Sequence, residues 1–358
     1  MRSLARFGPR VVITAALFLL LFRPSLFGLD VAFIPVSLAD LRAEVAGVEG
    51  GRFWTWVTVA LVLKAVAIGA SIGKWGLLLR AQAIRLSVAS LGAIFLMGRF
   101  FGTFLPGTIG LDGFRLYEVA RRTGRGIESA TVIVFDKLAG FIALTLLVAV
   151  TLPLGYEALI RHQGLAPGLL RAVVASFALA AGAALVFLGF PRLLAPPVAW
   201  SARWLPGRVG TLLRRVVLAG SAYQGRPSVV LGALALGLVN HLATSLVYFA
   251  TAMALATEGL ALRDILFAAP LMIFGTVLGP SVGGEGIREA VFVYLLGPTT
   301  GPAKAFLWSH LGFWVEGTFA LLGGAAFLVR PGRRREVGTT LPAPAGLPST
   351  PPDAGEPR

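Results

Sequence analysis

Eight apolar segments recur along the chain, at roughly 10–28, 53–79, 87–105, 129–152, 168–190, 228–256, 262–279 and 303–329. Such runs predict membrane-crossing helices, which need about 20 apolar residues each. Two of them end in polar, glycine-rich stretches. The first is FLPGTIGLDGFRLYEVARR, residues 104–122, and the second is VLGPSVGGEGIREAVF, residues 277–292. Counted from Gly110 and Gly283, both read G-x-[DE]-G-[FI]-R. The pairs Gly110 and Gly283, Asp112 and Glu285, and Arg115 and Arg288 are each 173 positions apart.

Charge decides how the segments are threaded. Lys and Arg accumulate on the cytoplasmic side of membrane proteins. Arg2, Arg6 and Arg10 precede the first segment and place the N-terminus inside. The acidic stretch 29–52 then lies outside, and Lys74, Arg80 and Arg85 inside. If 87–105 crossed fully, Arg121, Arg122 and Arg125 would face the exterior. If 87–120 enters and returns on the cytoplasmic side, they stay within. The arginines of 191–227 then also lie inside, as does RPGRRR at 330–335, provided that 262–297 turns back as well. The expected fold is all-α and polytopic: six full spans and two re-entrant helical hairpins in an inverted repeat. Eight simple spans is the alternative. Inverted repeats with broken helices near the midplane are a recurring transporter design.

Composition agrees with the class. Of 358 residues, 56% are hydrophobic and 14% charged, and the mean hydropathy is +0.80. A soluble domain carries nearly twice that charged fraction. The formal charge of +15 reflects cytoplasmic loops, not nucleic acid. With no cysteine, disulfides and thiolate chemistry are excluded, and three scattered histidines make no metal-ligand spacing. No metal or other cofactor is expected. The charged N-terminus has no A-x-A cleavage pattern after its apolar run, so residues 10–28 read as an uncleaved span. The transmembrane domain is expected over 1–330. Residues 331–358, rich in proline, are expected to form a disordered cytoplasmic tail. Trp200 and Trp204 among the arginines of 191–227 suit an amphipathic segment on anionic lipids at the cytoplasmic face.

Pro106 and Pro280 interrupt their helices, having no N–H to donate. Gly107, Gly110, Gly113, Gly283, Gly284 and Gly286 permit left-handed backbone and close approach. The freed N–H groups of the following half-helix would favour an anion such as a phosphate. Arg115 and Arg288 would add a fixed charge that grips phosphate in two-pronged fashion. Asp112 and Glu285, one turn earlier, would hold those arginines, meet an amine or carry a proton. A structural account stands beside this one. Acids at helix starts cap the macrodipole, and i,i+3 Asp–Arg pairs are common local contacts.

Other polar residues lie within apolar segments. Asp136 and Lys137 sit two turns into 129–152, and Glu316 is mid-span in 303–329. Charges at such depth usually face protein or water. Ser309 and His310 occupy the offsets matching Asp136 and Lys137. Asn240, His241 and Lys64 are further candidates, as site residues or as interhelical glue.

At these motifs the chain resembles the transmembrane region of lysylphosphatidylglycerol synthase and its flippase-like relatives. That group reads L-P-G-x-x-G-x-D-x-x-R, then a D-[RK] span, then P-x-G-[IV]-G-x-R-E. Pro106, Gly110, Asp112, Arg115, Asp136 and Lys137 match the first window, and Pro280, Gly284, Gly286, Arg288 and Glu289 the second. Glu285 and Ser309-His310 depart from the pattern. The resemblance implies a membrane region that moves or accommodates lipids. No counterpart of the aminoacyl-transferase domain of the bifunctional synthases is present, so lysylphosphatidylglycerol itself does not follow as cargo.

The expected substrate site comprises Pro106, Gly107, Gly110, Asp112, Arg115, Asp136, Lys137, Pro280, Gly283, Gly284, Glu285, Arg288, Glu289 and Glu316. The expected activity is translocation of a phospholipid or lipid-linked head group across the cell membrane, without catalysis. The alternatives are an intramembrane transferase and an accessory subunit for a lipid-modifying enzyme. No nucleotide-binding motif is present. The threading has a direct check, because the chain lacks native cysteine. A single Thr123→Cys variant should react with membrane-impermeant maleimide only from the cytoplasmic side, and labelling of intact cells from outside would reject the re-entrant threading.

Overall fold

A computed structural model describes residues 4–27, 35–104, 109–155, 225–278 and 283–329, together with 221–223, 281 and the isolated positions 179, 182 and 200. The predicted span 168–190, the tail 331–358, nearly all of the basic segment 191–227, and Pro106, Gly107 and Pro280 lie outside them.

The described residues contain ten α-helices and no strand: α1 (Leu4–Phe22), α2 (Leu38–Ala46), α3 (Gly50–Ala81), α4 (Val88–Phe104), α5 (Ile109–Thr123), α6 (Gly126–Thr151), α7 (Pro227–Ala254), α8 (Leu262–Leu278), α9 (Ile287–Thr300) and α10 (Pro302–Leu328). Local chemistry sets several ends. Ser37 caps α2 through its hydroxyl, and Pro227 and Pro302 open α7 and α10 where no N–H is needed. Gly124 closes α5 with φ +73°.

Four helices, α3, α6, α7 and α10, are long and apolar enough to cross a membrane. The 17 residues of α4 and of α8 rise only about 25 Å, and the 15 and 14 of α5 and α9 less, against a hydrocarbon core of about 30 Å. The protein is a helical membrane protein whose long helices alternate with pairs of short ones.

The packing falls into two matching sets. Helices α3–α6 begin at residues 50, 88, 109 and 126, and α7–α10 at 227, 262, 287 and 302, so the internal spacing is nearly the same. Exchanging the sets maps each packing contact onto another. The pairs α4·α5 and α8·α9 correspond, as do α5·α6 and α9·α10, α3·α4 and α7·α8, α3·α6 and α7·α10, α4·α10 and α8·α6, and α6·α7 and α3·α10. The remaining contact, α3·α7, maps onto itself and is the most extensive. Each set has its own apolar core. One centres on Trp75, Ile94, Phe135 and Ile142, the other on Phe267, Phe292, Leu296 and Trp308.

The sets are joined by close backbone approach. A methyl group built on Gly323 of α10 would collide with the Leu96 carbonyl oxygen of α4. Only a residue without Cβ allows that contact, the usual means by which membrane helices meet closely. Gly323→Ala should therefore destabilise the protein by about 1–3 kcal/mol, the cost of overpacking. Gly317→Ala, on the same helix with open space around it, should be neutral or slightly stabilising. Thermal unfolding of the detergent-solubilised variants separates the two.

Candidate functional site

Buried charge follows the α3 face that meets the other long helices. Near its C-terminal end, Lys74 reaches Asp136 of α6. Its Nζ lies 3.1 Å from Oδ1 and donates to the Asp136 carbonyl at 3.0 Å. Arg115 of α5 meets the other carboxylate oxygen. Its Nη1 and Nη2 both donate to Oδ2 at 3.1 Å, and Nη1 also donates to Asp112 at 3.3 Å. Lys137 closes the set by pairing with Asp112 at 2.8 Å. The Arg115 guanidinium lies 4.4 Å from the Trp75 ring centre and 5.4 Å from that of Phe95, and is 2% exposed. Cation–π contact thus adds to the ion pairs. Asp112, Arg115, Asp136 and Lys137, all predicted site residues, come together here.

Ten residues earlier on α3, about 15 Å along its axis, Lys64 pairs with Glu316 of α10 at 2.6 Å. Arg99 of α4 lies 3.6 Å from the other Glu316 oxygen, an ion pair too long for a hydrogen bond. Between the two levels, Ser71 donates to Asn240 at 3.0 Å, and His241 Nε2 lies 3.0 Å from the Gly140 carbonyl oxygen. Asn240 and His241 serve there as contacts between helices.

The second glycine motif builds a third set at the start of α9. Gly283, Gly284 and Gly286 take φ of +62°, +79° and +80°, conformations that L side chains adopt at a cost. A methyl group on Gly284 would meet Thr276 at 2.9 Å and Arg288 Nη2 at 3.5 Å. The turn therefore wraps directly around the guanidinium, which donates from Nη2 to the Gly283 carbonyl at 3.2 Å. Glu289 Oε2 accepts from the Gly286 N–H at 2.7 Å and so caps the helix. Its Oε1 lies 3.6 Å from His310 Nδ1 and 3.9 Å from Arg288 Nη1. Arg288 also stands 5.1 Å from the Phe313 ring centre and beside Tyr248. Glu285, half-buried, makes no ion pair among the described residues.

The motifs are thus alike in sequence and unlike in detail. Gly110 and Gly113 lie within α5 and are helical, not left-handed, because α5 already begins at Ile109. Among the described residues, no ion pair or hydrogen bond links the ionic set around Arg115 and Asp136 to the one around Arg288 and Glu289. Arg115 has both terminal nitrogens occupied by acids, and only its buried Nε lacks a partner. Arg288 has Nε and Nη1, both buried, without a hydrogen-bond partner.

The whole layout matches one known family. The model of the lysylphosphatidylglycerol synthase transmembrane region covers residues 10–335. The chain belongs to that family. No curated protein matches the chain significantly. In this family member the D-[RK] span is the one that carries Asp136 to Arg115, and the R-E pair supplies a guanidinium and a helix cap side by side.

Sequence reasoning passed over Lys74 and Arg99. Lys74 served there only as a marker of the cytoplasmic end of a span, yet it is buried against Asp136. Arg99 is a basic residue inside the apolar segment 87–105. Its position alone, within apolar sequence, was the available signal.

The first set has a clear energetic signature. Removing one partner of a buried ion pair leaves the other charge uncompensated, at about 3–5 kcal/mol. Arg115→Ala and Asp136→Ala should each lower the unfolding temperature sharply. Lys137→Ala, whose side chain is 42% exposed, should change it little. Similar melting curves for Arg115→Ala and wild type would contradict the arrangement.

Proposed function

We propose that this protein binds the head group of a phospholipid or lipid-linked molecule within the bilayer and carries it between leaflets. The observation that carries this reading is the placement of charge. Three ionic sets lie among helices that are otherwise apolar, and in one of them a buried arginine keeps two N–H groups without a partner. Membrane proteins pay heavily for such charge, and its usual role is to line a path for a polar group. A guanidinium with open donors suits a phosphate.

The proposed threading is six spans with α4–α5 and α8–α9 as re-entrant pairs, entering from opposite faces as an inverted repeat. The paired contacts of the two helix sets, the shortness of these four helices and the distribution of Arg and Lys support it. Both termini then face the cytoplasm, and the protein sits in the cell membrane. Two structurally matched halves around α3 and α7 provide what alternating access requires, namely two packings that can exchange. The reading assigns no bond-breaking step. The partners are the transported lipid and anionic lipids at the cytoplasmic face, with a lipid-modifying enzyme as a supplier of cargo.

Reconstitution tests it. In proteoliposomes holding a fluorescent phospholipid, wild-type protein should make inner-leaflet lipid accessible to an impermeant quencher. Arg288→Ala should reduce that rate to the protein-free level while eluting as a folded, monodisperse species. Wild-type vesicles that behave like protein-free ones across several head groups would remove the translocation reading.

A further inference from the structure

Arg288 is not alone in having open donors. Arg99, from the other short helix pair, has a buried Nε without a hydrogen-bond partner, and its terminal nitrogen only approaches Glu316 at 3.6 Å. Arg99 meets Glu316, and Arg288 stands over the Phe313 ring, one turn before Glu316 on α10. Lys64 of α3 pairs with the same Glu316. Three cations from three helices therefore gather along one stretch of α10. Glu289, next to Arg288 in sequence, is engaged by the Gly286 N–H. Glu285 and His310 complete the charged surroundings of Arg288 and Glu289 at the turn.

Glu316 engages its two ion-pair partners unevenly. Glu316 gives one oxygen to Lys64 at hydrogen-bonding distance and offers the other to Arg99 at a longer one. A phosphate ester presents more acceptor oxygens, set tetrahedrally, and can take donors from several directions at once. Access differs among the members as well. The side chains of Arg99 and Glu316 are 21% and 25% exposed, whereas that of Arg288 is 5% exposed. The set is open beside Glu316 and closed behind Arg288.

We infer that Lys64, Arg99 and Arg288 form one binding site for a phosphate-ester anion, with Glu316 as the resident counter-ion that the phosphate displaces. The site takes one arginine from each short helix pair, so an occupied site ties the two halves of the protein together. Arg115 stays outside it, held by Asp136 and Asp112. This inference rests on the lipid reading only for the source of the phosphate. The anion chemistry is common to a lipid head group and to free phosphate.

Binding by the purified full chain separates the possibilities. Three probes are titrated: a short-chain phosphatidylglycerol, a diacylglycerol with the same chains and no phosphate, and inorganic phosphate. Complexes are read by native mass spectrometry and by thermal shift. Phosphatidylglycerol should bind and diacylglycerol should not. Arg99→Gln and Arg288→Gln should each weaken binding at least about tenfold, as expected for loss of a charge-assisted donor. Arg99→Lys, which keeps the charge, should lie between. Glu316→Gln should bind more tightly than wild type, because the competing carboxylate is gone. Equal binding by wild type, Arg99→Gln and Arg288→Gln would overturn the site, as would weaker binding by a folded Glu316→Gln. Saturation by inorganic phosphate with the same variant dependence would keep the site and reject its lipid occupant. Intact lipid binding without translocation would keep the site and reject transport.

Discussion

Charge inside hydrocarbon must be compensated where it stands, and this constraint organises the molecule. An uncompensated ion at that depth costs several kcal/mol even after relaxation. The buried acids Asp136 and Glu316 are accordingly each met by cations from other helices. Asp136 of α6 takes Lys74 from α3 and Arg115 from α5, and Glu316 of α10 takes Lys64 from α3 and Arg99 from α4. These pairs specify which helices must be neighbours. Helix α3, supplying a lysine at two levels, is the common partner, which suits its extensive packing on α7 at the junction of the two sets.

The two acids are compensated to different degrees. Around Asp136 the geometry is closed: both terminal nitrogens of Arg115 and the Lys74 ammonium lie at 3.1 Å, with aromatic rings on either side of the guanidinium. Around Glu316 only Lys64 is at hydrogen-bonding distance, and Arg99 stands off. The first arrangement has the character of a rivet and the second that of an exchangeable contact. Such a division suits the proposed transport, in which part of the frame would hold while another part changes partners.

Much of this was legible before any coordinates. The long helices and the interrupted helices follow from apolar runs and from residues written twice at one offset, and the family from the resemblance carried by the two motif windows. Asp112, Arg115, Asp136 and Lys137 were all picked from apolar context and share one ionic set, and the Asp112–Arg115 contact was legible from its i,i+3 spacing. The capture of Arg115 and Lys74 by Asp136 was not, because partners from α3, α5 and α6 are brought together by helix packing and not by spacing along the chain. Nor was the difference between the motifs. The same glycine letters give helical backbone at Gly110 and left-handed turns at Gly283, Gly284 and Gly286. Sequence shows that glycine permits a conformation, and only the fold shows where it is used.

That difference bears on how duplicated halves acquire distinct tasks. In the first half, Asp136 lies on the span after the motif and captures Arg115. The matching position in the second half is Ser309, which donates to the Phe306 carbonyl and offers no charge. Arg288 therefore lacks the carboxylate that neutralises its counterpart. Its nearest acid, Glu289, is adjacent in sequence and turned back to cap the helix, leaving 3.9 Å between them. An acid in one half and a hydroxyl at the matching position of the other thus accompany a locked arginine and one with open donors. The asymmetry between the halves, more than their likeness, is what leaves Arg288 with unpartnered donors.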